Sequence, residues 1–185
     1  MSSSMNRIIV IGSPGSGKST LAREIAVRSG IPAFHLDKLY WQPGWVPHPD
    51  LNVFRNTVDN IVAGERWILD GGFYDAAGPE RFVRADTVIF LDVPTVVCLF
   101  RAIKRWLLYR GDTRPDLAPD CPEKFDLEFY QYILSYRTEQ IPKGEAMIEQ
   151  YFKGRMIRLG NNADRVAFLD GLPASPREVP DHDGA

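Results

Sequence analysis

The chain has 185 residues, enough for one domain that buries about 70% of the surface its unfolded form exposes. Apolar residues make up 44% and charged residues 25%, and 22 Lys and Arg stand against 24 Asp and Glu, a net charge of −2 that argues against a dedicated nucleic-acid binder. The two cysteines, Cys98 and Cys121, exclude a disulfide scaffold and a cysteine-rich zinc module, and no stretch approaches the roughly 18 apolar residues of a membrane span.

Met1 to Arg7 lacks a basic patch ahead of an apolar core, so a secretory signal is not expected and the protein reads as cytoplasmic. Ile8 to Ile11 is β-branched throughout, the pattern of a strand buried on both faces. Leu21, Ile25 and Ala26 then recur at helical spacing up to Gly30. Pro32 to Leu36 reads as a second strand ending at Asp37. Lys38 to Pro49 holds three prolines, two tryptophans and a tyrosine, and reads as a loop. Asp50 is placed to cap a helix with apolar positions Leu51, Phe54, Val58, Ile61 and Val62. Trp67 to Asp70 is a third strand and Thr87 to Asp92 a fourth. A helix from about Thr95 to Arg110 follows, then a loop from Gly111 to Pro122. Phe125 to Tyr136 returns to helix, which Pro142 should end or kink. Met156 to Leu159 is a fifth strand, a short helix carries Val166, Phe168 and Leu169, and the residues from Gly171 onward read as a frayed tail. Short apolar strands alternating with amphipathic helices predict an α/β fold of βαβ units, with a parallel sheet covered on both faces.

Between the first strand and the first helix lies Gly12-Ser13-Pro14-Gly15-Ser16-Gly17-Lys18-Ser19, which fits G-x-x-x-x-G-K-[ST] at every fixed position. Such a loop curls its backbone N–H groups around phosphates, a curl that glycines allow without Cβ clashes. The helix behind it, opening through Lys18, Ser19 and Thr20, brings the positive end of its dipole to the same place. Lys18 can then reach the β- and γ-phosphates of ATP, and the Ser19 hydroxyl can ligate Mg²⁺. A supporting carboxylate is expected at the end of a neighbouring strand, where Asp70 is preferred over Asp92 because glycines beside it leave space. No N-K-x-D tetrapeptide, the usual guanine-reading signal, is present, which favours ATP over GTP.

From Pro94 to Arg110 the chain carries Arg101, Lys104, Arg105 and Arg110 and no acid, and Arg114 follows in the loop. Arg101 and Arg105 share a helix face and can stabilise a moving phosphoryl group. The same cations are also open to a solvated face or to nucleic-acid phosphates, the latter disfavoured by the overall acidity. Asp37 is positioned either to accept a proton from a hydroxyl acceptor or to brace its loop. Tyr40, Trp41 and Trp45 can stack on a planar ligand, although at least two of the three are expected to pack the loop down. His35 reads as a strand residue, Cys98 as core, and Cys121 as a thiol without an activating neighbour.

These residues resemble small P-loop kinases of the adenylate-kinase-like class, and more narrowly the topology modulation (FlaR-type) proteins. The resemblance runs from Arg7 to Leu169. It rests on the Gly12–Ser19 loop, Asp37 to Trp41, Trp67 to Gly71 with Tyr74, Arg81, Ala85-Asp86, Leu91-Asp92 with Pro94, Arg101 and Arg105, Arg114 to Asp116, and Cys121 to Glu123. It implies a three-layer α/β/α P-loop NTPase fold with a five-stranded parallel sheet in the order 2-3-1-4-5. It implies one kinase domain over residues 1–170, a helical lid over about 106–124 and a flexible tail over 171–185. It further implies that Arg101 and Arg105 contact adenine and phosphates, that Asp70 is linked to Mg²⁺, and that Gly160-Asn161-Asn162 lines the adenine. Adenylate kinases grip an acceptor phosphate with arginines that this chain lacks after its second and third strands, where Asp37-Lys38 and Gly71-Gly72-Phe73-Tyr74 stand instead. The expectation is therefore an ATP- and Mg²⁺-dependent kinase for a small hydroxyl-bearing acceptor, a nucleoside or nucleotide being the first guess. The competing expectation is a nucleotide-binding regulator, with little kinase activity, acting on DNA topology or a protein partner.

Overall fold

In the computed structural model, which describes residues 5–109, 111, 120–122 and 124–172, the first strand, β1, spans Arg7–Gly12. Its aliphatics divide between two cores. Ile8 and Val10 enter one hydrophobic cluster, and Ile9 and Ile11 enter another on the opposite face of the sheet. The absence of polar alternation in the sequence follows directly, since both faces are covered. Each of these side chains, taken fully out of water, stabilises the fold by about 1.5–3 kcal/mol.

Four more strands complete the sheet: β2 at Ala33–His35, β5 at Trp67–Asp70, β6 at Thr87–Leu91 and β7 at Arg155–Leu159. All pairings are parallel and the order is β2-β5-β1-β6-β7. Counting the strands of this sheet alone, that is the expected order 2-3-1-4-5. Helix α1 (Lys18–Ser29) packs into the first cluster with the start of α6 (Leu127–Tyr151) and with α7 (Asn162–Asp170). Helix α3 (Leu51–Val62) and the short α4 (Glu80–Arg84) cover the other face. Asp50 caps α3 as expected, its Oδ1 accepting from the backbone N–H of Asn52 at 2.8 Å. Helix α5 covers Thr95–Leu108.

Three local expectations give way to tertiary packing. The second strand stops at His35, and Leu36–Tyr40 turns into a short helix, α2, because Leu36 is drawn into the second cluster against Gly71. Asp37 therefore sits in the first turn of a helix and not at a strand end. The Pro- and Trp-rich segment after it forms a small antiparallel hairpin, β3 (Trp41–Gln42) with β4 (Val46–Pro47), in place of a plain loop. Helix α6 does not end at Pro142 but continues to Tyr151, since Tyr130 and Ile133 anchor its first half in one cluster while Ile141, Met147 and Ile148 hold its second half in the other. That double anchorage outweighs the one hydrogen bond a proline removes. Among the described residues no helix is long and apolar enough to cross a membrane.

Candidate active site

The C-terminal ends of β1, β2, β5 and β6 share one edge of the sheet, with Gly12 beside Leu91, and Asp70 beside both Val10 and His35. Past Gly12 the chain curls through three left-handed glycines, with φ of 145° at Gly12, 80° at Gly15 and 99° at Gly17. Packing demands glycine at two of them. A Cβ on Gly12 would lie 2.7 Å from the Leu91 carbonyl oxygen, and one on Gly15 would run into the Cys98 carbonyl. Gly17 faces open space, so there only the backbone conformation excludes a side chain. The curl is closed by Ser16 N–H donating to the Ser13 carbonyl at 3.1 Å, and Ser13 Oγ donates to the Pro14 carbonyl at 3.3 Å.

Helix α1 starts immediately, with Gly17 as its cap, no side-chain cap and no acid in its first turn. Its leading N–H groups are thus left for an anion. Lys18 Nζ lies across the loop on the Ser13 carbonyl at 3.1 Å, and Arg101 Nη1 donates to the Ser16 carbonyl at 3.2 Å. Pro14, Lys18, Ser19, Thr20, Arg101 and Arg105 all line one large cleft of about 830 Å³. Arg105 also stacks its guanidinium 5.7 Å from the Phe129 ring centroid. Arg114 and most of the 106–124 segment lie outside the described residues.

The two strand-end aspartates are differently engaged. Asp92 binds Arg137 at 2.6 Å and Arg158 at 3.0 Å, tying α6 to β7. Asp70 is 2% exposed, and its Oδ2 lies 2.8 Å from His35 Nδ1 while its Oδ1 has no hydrogen-bond partner. A buried carboxylate oxygen without a donor is costly unless something cationic or hydrated meets it. The orphaned Oδ1, on the strand next to the loop, fits support of a divalent ion held by Ser19. His35 is the partner that a strand-only reading overlooked. Its signal was the parallel register, which sets the end of the second strand beside the end of the third.

The far wall of the cleft is built from α2, the hairpin, the turn after β5 and the middle of α6. Asp37 Oδ1 accepts from Trp41 Nε1 at 3.3 Å. Trp41 and Trp45 meet edge-on at 5.7 Å over the buried Cys121, whose thiol donates to the Gln42 carbonyl at 3.3 Å. Tyr40 packs on Phe54 and Phe73, so its ring holds the segment to the body, whereas the two indoles pack together and also line the cleft. Behind the Gly71-Gly72 turn, the fully buried Arg81 donates through Nη1 to the Gly71 carbonyl at 3.0 Å and through Nη2 to the Gly72 carbonyl. Burial lowers its pKa from the ordinary guanidinium range to about 10, which leaves it charged at neutral pH.

Tyr74 and Tyr136 share a hydroxyl contact at 3.4 Å, and Gly144 lets α6 approach the Tyr74 ring, since a Cβ there would sit 2.7 Å from the Tyr74 oxygen. Burial raises the pKa of both phenols. Tyr132 is raised as well, by burial first and then by Tyr74, Asp37, Asp75 and Glu139. Tyr132, Tyr136 and Gln140 form a stripe at four-residue spacing on α6, the pattern that would have marked them as one wall. Two other expectations can be located. Cys98 is core, its thiol 3.7 Å from the Val93 carbonyl and its pKa raised by burial. Asn161 is occupied by a capping box with Asp164 at the start of α7, and neither it nor Asn162 lines the large cleft.

A scan against protein-family models finds no match, so the narrower likeness to topology modulation proteins rests on the motifs alone. Solved structures do match. A shikimate kinase from Bacteroides thetaiotaomicron is 19% identical, with 90% of this chain and 95% of that one covered, at a TM-score of 0.54. A shikimate kinase from Acinetobacter baumannii, in complex with shikimate, is 15% identical over 90% of each chain, at a TM-score of 0.59. The chain has the fold of the shikimate kinases. That is a P-loop NTPase fold, with the parallel sheet and the flanking helices described above.

Proposed function

We propose that the protein is a kinase that moves the γ-phosphoryl group of ATP, with Mg²⁺, onto a hydroxyl group of a small molecule. The observation that carries this reading is that the glycine-bent loop with Lys18 and the Asp37 carboxylate line the same cleft. The names of the two fold neighbours support the reaction class.

Backbone N–H groups of the loop and of the first turn of α1 bind the triphosphate, and Lys18 exchanges the Ser13 carbonyl for its β/γ oxygens. Ser19 Oγ would ligate the metal and Asp70 would support it through Oδ1, with His35 steadying Oδ2. Mg²⁺, when bound, neutralises charge between the β- and γ-phosphates. Arg101 and Arg105, joined by Arg114 from its position in the sequence, stabilise the phosphoryl group in transit. Asp37 takes the acceptor's hydroxyl proton while the new O–P bond forms and the bond to the ADP oxygen breaks. Asn161 and Asn162 keep their proposed place beside adenine only if the bound nucleotide extends past the cleft lining.

The test is ADP release from Mg·ATP with pooled nucleosides, nucleotides, polyols and shikimate. Release that depends on an acceptor and vanishes in Lys18→Ala is expected. Release indifferent to every pool, or unchanged in Lys18→Ala, would sink the reading.

A further inference from the structure

We infer that the acceptor end of the cleft selects a hydroxyl compound that carries no anionic group. This deepens the kinase reading and rests on it for the reaction, though not for binding.

The cleft is polar in its charge. Lys18 and Arg23 on α1 and Arg101 and Arg105 on α5 gather at the phosphate loop. Lys124, at the approach to α6, pairs with Asp126 at 3.7 Å. The other end presents the Asp37 carboxylate, the phenols of Tyr74, Tyr132 and Tyr136, and the Trp41 and Trp45 indoles. Asp75 at the rim is paired with Lys143 at 2.6 Å.

Around Tyr132 the charges that face it are acidic, since Asp37, Asp75 and Glu139 all oppose its ionisation, while Tyr74 and Tyr136 face Arg81. Arg81 is the cation behind the turn, yet it is fully buried and its terminal nitrogens already serve the Gly71 and Gly72 carbonyls. A carboxylate or phosphate is held best by charge-assisted donors, above all a bidentate guanidinium fork. Among the described residues this wall offers it phenols, one neutral amide at Gln140 and the like-charged carboxylates of Asp37 and Asp75. An uncharged polyol or nucleoside meets instead a hydrogen-bond acceptor at Asp37, hydroxyl partners on the tyrosines, and apolar indole surface. Shikimate, a carboxylic acid, is thus the wrong charge for this wall even though the fold is shared.

The test is calorimetric titration of the full chain saturated with a Mg²⁺-bound non-hydrolysable ATP analogue, so that probes meet only the acceptor end. The probes are two matched pairs, adenosine against AMP and methyl shikimate against shikimate. The uncharged member of at least one pair should bind more tightly by about tenfold or more. Asp37→Asn should narrow that gap by removing the repelling charge at constant shape. Anionic members bound at least as tightly as their uncharged partners in both pairs, or no probe bound in either pair, overturns the inference. Titration involves no turnover, so preference for the uncharged member without acceptor-dependent ADP release would fault the kinase reading and leave the binding inference standing.

Discussion

At the donor end of the cleft the proposed ligands are backbone N–H groups of the glycine-bent loop and of the first turn of α1. At the acceptor end they are side chains drawn from positions 37 to 140. The first is a conformation held by glycines with almost no free volume at Gly12 and Gly15. The second is a wall of phenols, two of them buried, with the Asp37 and Asp75 carboxylates, assembled because α6 is anchored in both cores and passes the cleft on the way. A backbone site is specified locally and tolerates almost no change. A side-chain site is specified by the whole fold and can be altered one group at a time.

The comparison breaks most visibly at Lys18. Lys18→Ala should lower phosphoryl transfer by about 10³-fold with the circular dichroism spectrum unchanged. Asp37→Asn should lower kcat by roughly 10²-fold while ATP affinity, measured by titration, stays as it was. A matched fall in ATP affinity would mean that the two ends are not separate. Within the donor end, Gly15→Ala and Gly17→Ala divide packing from backbone strain. The first should cost about 3 kcal/mol in urea unfolding, because the Cys98 carbonyl blocks the new Cβ, and the second about 1 kcal/mol from its positive φ alone.

The acceptor end is distinguished by alkaline pH. Tyr74, Tyr132 and Tyr136 hold their protons above the ordinary 10, chiefly through burial. The stability they contribute is full below pH 10 and is lost as pH climbs from 10 through their folded values, because the unfolded chain ionises first. Each contributes a slope of up to about 1.4 kcal/mol per pH unit. Arg81 opposes them, since above about 10 the unfolded chain keeps a proton that the folded one has released. Three phenols against one guanidinium leave a net fall. The urea midpoint should drop between pH 9 and pH 11, and Tyr136→Phe should make the drop shallower.

The donor end was legible because its physics is local. A strand of β-branched residues, a glycine-bent loop and a helix fall within thirty consecutive positions, and Gly12-to-Ser19 spacing alone carries the geometry. Sheet order came through the family resemblance, and the Asp50 cap came from one residue type beside an apolar period. The acceptor end was half legible. Asp37 stood out by position, but its helix did not, because burial of Leu36 against Gly71 is a contact across thirty-five residues. Tyr132 and Tyr136 were hidden in a helix that Pro142 seemed to terminate. His35 and Asp70 needed the register between two strands that only the assembled sheet supplies. Arg81 carried a matching residue type without any hint that it would be buried under a glycine turn.

Gly15 rests on the Cys98 carbonyl in the first turn of α5, and three residues further along Arg101 reaches back to the Ser16 carbonyl. The phosphate loop and the arginine-bearing helix are therefore one mechanical part, and neither can tilt without the other. The aromatic wall meets them through Arg105 stacked on the Phe129 ring of α6. Side-chain changes in that wall can therefore alter the shape of the cleft without touching the two backbone contacts that join the loop to α5.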